Sequence, residues 1–210
     1  MTGTYTVTGT VAANAVSINS TGSLTTFDFN GSSSTDGTDG NTLTFTKDGI
    51  SVTARAFSRV DRTNGAWNNA YLGSYSGGLG VTDSSESTSS HRVDNVGGRD
   101  NYVLFQFSES VVVDQAYLQY VVNDSDMSVW IANFNNTITT LSDSILNSFG
   151  FTEINLGSSS DRWADISANQ NLVNTLVIAA KMDDTDDKFK IWYLDVQKDV
   201  QKYVASATYF

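Results

Sequence analysis

Alternation of apolar and polar residues is the main pattern along this chain. In "TYTVTGTVAA", Tyr5, Val7 and Val11 share one face and Thr4, Thr6, Thr8 and Thr10 the other, which predicts a half-buried strand. "SLTTFDFNG" predicts another strand. "NTLTFTKDGISVTARAFS" predicts a hairpin, Leu43 to Thr46 and Ile50 to Phe57, turning at Asp48-Gly49. "YVLFQF", "SVVVDQAYLQYVV", "MSVWIANF", "FTEINL", "NTLVIAA" and "FKIWYLDV" continue the period of two, and "NDSD" at Asn123–Asp126 reads as a turn. The tail "YVASATYF" is a further candidate strand. Asp61 to Ser90 is rich in Gly, Asn and Ser and reads as a long irregular loop pinned by Trp67, Tyr71, Leu72, Tyr75 and Leu79.

One segment changes period. Ile138, Leu141, Ile145, Leu146 and Phe149 follow helical spacing, and Gly150 would stop that helix. Many short strands and one short helix near 138–149 predict an all-β fold. The expected form is a two-sheet antiparallel β-sandwich, jelly-roll-like, with one domain over residues 1–210.

Composition narrows the function. Net charge is −11, whereas phosphate binding needs a basic face, so no nucleic acid partner is expected. No stretch approaches the roughly 18 apolar residues that span a bilayer, so no membrane insertion is expected. The first residues have neither a basic start nor an apolar run, so no signal peptide is expected at Met1. Absence of Cys removes disulfides and thiolate metal sites. Proline is absent too, so no X-Pro isomerisation can delay folding.

Catalytic motifs are weak. His91 is the only histidine; a Ser-His-Asp triad would need it, and no G-x-S-x-G elbow exists. Common zinc sites need three or four His or Cys ligands. With 23 acidic residues some carboxylate pair always lies at glycosidase spacing, so that signal is empty. "YSGGLGV" lacks the Lys and the following helix of a phosphate loop; its glycines permit turns and close backbone approach. The expectation is that the protein is not an enzyme.

Calcium takes oxygen ligands at short spacing. Asp94, Asn95 and Asp100 offer them around Gly97-Gly98, Asp124 and Asp126 offer them in a turn, and Asp183, Asp184, Asp186 and Asp187 form an acidic loop. The first two groups are the expected metal residues, with calcium as the cofactor. None of the three matches an EF-hand.

Several longer segments occur together and in order: "GGLGVTDSSESTSSHRVDNVGGRD", "NDSDMSVWI", "LSDSILNSFGF", "DRWADISANQ" and "DDKFKIWYLDV". The chain resembles the extracellular domain of exosortase-dependent (PEP-CTERM type) bacterial surface proteins over about Asn41 to Val196. The family's sorting tail is missing after Phe210, and the family usually has prolines. The resemblance implies export, a β-rich fold and a structural or adhesive role at the cell surface or in the matrix. The flanking segments, 1–24 and 197–210, lie outside it and would supply self-association through strand addition. The alternative is a carbohydrate-binding module. Trp67, Tyr71 and Tyr75 are its candidate sugar-stacking residues, with Trp130 and Trp163 as further aromatics and extracellular polysaccharide as the partner.

Overall fold

The structure is a computed structural model that describes residues 22–60, 65–86, 91–155, 157, 159–166, 171–182 and 185–198. The first predicted strand (Thr4–Val11) and the tail strand lie outside the described residues, as does most of both segments expected to mediate self-association. Among the described residues no helix is long and apolar enough to cross a membrane.

The fold is all-β. Its strands are β1 (Leu24–Asp28), β2 (Leu43–Lys47), β3 (Ile50–Val60), β4 (Trp67–Tyr75), β5 (Gly78–Thr82), β6 (Val93–Asp94) and β7 (Arg99–Gln119). They continue with β8 (Met127–Ala132), β9 (Gly150–Ile154), β10 (Arg162–Asp165), β11 (Val173–Ala180) and β12 (Lys188–Lys198). The β2–β3 hairpin forms as expected. Asp48 and Gly49 both have positive φ, 50° and 77°, the conformation a two-residue turn requires between right-twisted strands.

Strand β7 organises the rest. It runs 21 residues, where the sequence pattern suggested two strands broken near Ser108–Ser110. Its first half pairs with β3 on one side and β11 on the other; its second half pairs with β12 and β10. Because β12 also meets β5, the strands β12, β5, β4, β3 and β7 close into a five-stranded ring. β11, β8 and β9 extend the sheet beyond it. This differs from the expected pair of stacked jelly-roll sheets: the pairing forms one network that closes on itself. A single strand long enough to serve both halves removes the need for two sheets.

The supposed loop from Asp61 to Ser90 contains β4 and β5. Their inward residues, Ala70, Leu72, Leu79 and Val81, are fully buried. Gly and Asn between them hid the alternation. Gly80 shows why glycine is needed there: a Cβ would collide with the carbonyl of His91, which crosses directly over β5.

Two cores result. One joins Phe27, Phe29, Phe105 and Phe107 to the inward aliphatic residues of the ring, with Phe29 and Phe105 stacked at 5.5 Å. The other lies on the opposite face of β7 and β11 and contains Phe57, Tyr102, Leu104 and Trp130. Ile138, Leu141, Leu146 and Phe149 cover it, with Ile145 partly buried against it, so the helical-period residues share this core. Only Asp143–Leu146 is helical (α1), capped by Ser142, whose hydroxyl accepts from the Ile145 N–H. Ile138 and Leu141 reach the core from irregular chain ahead of the helix; burial, not helix length, fixes that segment.

Candidate ligand-binding face

The side of β7 and β12 turned away from the first core carries an aromatic group. Register places Trp163 opposite Tyr117, Tyr117 opposite Tyr193, and Tyr193 opposite Asp28, one residue from each of β10, β7, β12 and β1. A β-bulge adds Trp192. Between Ile191 and Tyr193 the pairing with β7 shifts, leaving Trp192 as the extra residue. Consecutive residues that strict alternation would send to opposite faces therefore stand side by side. Trp192 and Tyr193 stack at 4.7 Å with planes 16° apart. Trp163 is nearly parallel to Tyr193 at 6.1 Å, and Tyr117 meets Trp163 edge-on at 5.1 Å.

The next outward row is polar. Asp165, Gln115, Asp195 and Thr26 lie across the same four strands. Asp195 accepts from Gln115 Nε2 at 2.8 Å and from Thr26 Oγ1 at 2.6 Å, and Asp28 Oδ1 accepts from Trp192 Nε1 at 3.0 Å. A second bulge leaves Asp114 unmatched beside this row. Burial, then the charges of Asp195 and Asp165, push its carboxyl above the usual range. Trp163 is 41% exposed, an unusual position for so large an apolar side chain.

The expected aromatic residues are placed differently. Trp67 packs on Tyr102 at 4.6 Å, lies under the Arg59 guanidinium and donates to Asp143 Oδ1 at 2.9 Å. Tyr71 is half-buried beside Gly37, and Tyr75 is 4% exposed between the His91 ring and Lys190. Trp130 belongs to the second core. Of the aromatics considered in the sequence, Trp163 alone joins the outer face. The signal for the face was available in "DRWAD" and "KIWYLD", where bulky rings sit among acidic residues, but the bulge that brings Trp192 and Tyr193 together is set by tertiary pairing.

The expected metal residues are placed in three surroundings. Asn95 leaves its sequence neighbours and joins the turn: its Nδ2 donates to Asp187 Oδ2 at 2.9 Å and to the Lys181 carbonyl at 2.8 Å. Asp124, Asp126 and Asp187 offer carboxylate oxygens within 4.8 Å of one another, an arrangement that could hold a metal ion. Two cations attend the cluster. Lys181 Nζ is 3.8 Å from Asp126, and Arg162 donates to Ser125 Oγ at 2.8 Å and to the Ser125 carbonyl at 2.6 Å. Asp187, from the acidic loop, is the one carboxylate of this cluster outside the two expected groups.

Asp94 instead hydrogen-bonds Glu86, near Asp83. Burial, then the charges of Asp94 and Asp83, push the Glu86 carboxyl up to about 8. Asp94 is raised as well, chiefly by burial. Asp83 accepts from Asn101 Nδ2 at 2.9 Å and from the Ser85 N–H at 2.7 Å. Asp100 is buried on β7 opposite Arg59. Asp94, Asn95 and Asp100 are thus close in sequence but do not converge on one point.

His91 lies at the edge of this region. Its Nδ1 is 3.0 Å from Asp36 and 2.9 Å from Thr82 Oγ1, and its ring stacks on Tyr75 at 4.4 Å. No protein-family model matches the chain, and no curated protein does.

Proposed function

We propose that this is a non-catalytic carbohydrate-binding module of an extracellular bacterial protein, with the Trp163–Tyr117–Tyr193–Trp192 face as its sugar-binding surface. The observation that carries this reading is the exposed Trp163, continuous with three further rings and flanked by Asp and Gln acceptors and donors. The C–H faces of a pyranose carry partial positive charge and meet the negative face of an aromatic ring. Neighbouring Asp28, Asp165 and Gln115 then fix orientation through the sugar hydroxyls. The resemblance to exported surface proteins supports a setting outside the cell, where such a module would adhere to matrix or surface polysaccharide.

A panel of polysaccharides and oligosaccharides, read by affinity electrophoresis and calorimetry, tests the proposal. At least one glycan should bind, and Trp163→Ala should weaken it by about tenfold, the value of one lost ring contact. Trp67→Ala should leave affinity unchanged in the folded protein. Failure of every glycan to bind, or binding indifferent to Trp163→Ala, would remove the reading.

A further inference from the structure

A cavity of about 320 Å³ opens between the β4–β5 turn, the chain at His91–Arg92, the end of β7 and the start of β12. Tyr75, Ser76, His91, Arg92, Tyr120 and Lys190 line it. In a chain of net charge −11, this concentration of cationic side chains is unexpected.

Lys190 and Arg92 form no ion pair among the described residues, although acidic side chains outnumber basic ones 23 to 12. Lys190 Nζ lies 4.7 Å from the centre of the Tyr75 ring and 5.3 Å from that of Tyr120, and among the described residues its one hydrogen bond is to the Ser76 carbonyl at 3.3 Å. Arg92 donates from Nε to the Tyr120 carbonyl at 3.2 Å, which leaves the two Nη groups for another acceptor. Asp36, the carboxylate that contacts Tyr75 and His91 of the lining, is already engaged. It takes Thr82 Oγ1 at 3.0 Å, Tyr75 Oη at 3.3 Å and His91 Nδ1 at 3.0 Å. Burial and the neighbouring Arg92 charge both make the Lys190 ammonium easier to deprotonate, the mark of a cation short of anionic company.

Two residues that line the cavity have strained backbone. His91 and Tyr120 both have positive φ, 41° and 53°, in the left-handed region that non-glycine residues rarely occupy. Such strain concentrates at ligand-binding positions. Gly77 and Gly80 are required by these same residues, since a Cβ at either would collide with Tyr120 or with the His91 carbonyl.

We propose that this cavity binds a single oxyanion group, a carboxylate, sulfate or phosphate monoester, between the Lys190 ammonium and the Arg92 guanidinium, with the tyrosine rings as its walls. The free Arg92 donors suit a bidentate contact, and Lys190 supplies a point charge from the facing strand. The volume falls at the small end of ligand sites and accommodates an anion with at most one attached ring. This site is separate from the aromatic face and does not depend on the sugar reading.

Calorimetry and amide chemical shifts with inorganic sulfate, inorganic phosphate, glucuronate and glucose test it. At least one of the three anions should bind and shift the Arg92 and Lys190 amides, while glucose should not. Lys190→Met and Arg92→Gln should each weaken binding by about 10- to 100-fold, as expected for a lost charge-assisted hydrogen bond. Lys190→Arg should retain binding and shows that the fold tolerates change there. Tighter glucuronate than inorganic anion assigns the group to an acidic saccharide; the reverse assigns it to a free oxyanion. No response to any anion, equal response to glucose, or affinity unchanged in both charge variants would overturn the proposal.

Discussion

Glu86 makes stability depend on pH in a direction opposite to that of an ordinary surface carboxylate. In the unfolded chain its carboxyl titrates near 4.5; in the folded protein burial and the Asp94 and Asp83 charges hold the proton up to about 8. The folded state therefore binds the proton more tightly. The stabilisation is complete below the unfolded value and is lost as pH rises through the folded one. The whole interval corresponds to about 5 kcal/mol at 1.4 kcal/mol per unit. Water reaches this side chain, and screening brings the expected contribution to about 1–2 kcal/mol. For a chain of this size that is a fall in the unfolding midpoint of about 3–6 °C between pH 5.5 and pH 9. Glu86→Gln keeps a donor for Asp94 and removes the titration, so its midpoint should fall by that much less over the same interval. Differential scanning calorimetry of both proteins at matched ionic strength measures the difference. Parallel curves would show that Glu86 is ionised in the folded protein at neutral pH, and the account of this carboxyl pair would fail.

Two more outcomes follow from the packing. Gly80→Ala should cost about 2–3 kcal/mol in urea unfolding, because the new methyl meets backbone at His91 and nothing there can rotate away. A cost under about 0.5 kcal/mol would mean that the crossing of His91 over β5 is looser than described. At Asp124, Asp126 and Asp187, about 10 mM calcium should raise the unfolding midpoint, and more so in Lys181→Met, where the competing ammonium is gone. Equal midpoints in calcium and in chelator for both proteins would exclude an ion at this cluster.

The parts of the fold that were legible from sequence are those fixed locally. The β2–β3 hairpin was readable because Asp48-Gly49 can adopt the turn and few other pairs can. The burial of Ile138, Leu141, Leu146 and Phe149 was readable from their spacing, though the length of α1 was not, because a core can collect the same side chains from irregular chain. β4 and β5 were missed because close approach of neighbouring backbone selects Gly where a strand would otherwise show an aliphatic residue. Calcium-ligand spacing misled for a similar reason. Asp94 and Asn95 are adjacent in the chain, yet one turns to Glu86 and the other to Asp187, as successive residues beside a strand do. The aromatic face depends on a bulge, and nothing in a single sequence records which residue of a strand is left unpaired.

The ring has one weak seam. β5 and β12 share a single register pair, Ile191 with Leu79, whereas every other junction of the ring has at least four. The chain from Phe29 to Gly31, which continues β1, ties β12 to β4 beside this seam, with the Phe29 N–H on the Trp192 carbonyl and the Gly31 N–H on the Tyr75 carbonyl. Local opening of the barrel should begin here, since few hydrogen bonds must break at once. The anion cavity straddles the same line, with Tyr75 and Ser76 on one bank and Lys190 on the other. An occupant would act as a rivet across the least secured joint, and breathing of the barrel and occupancy of the cavity would be two readings of one equilibrium.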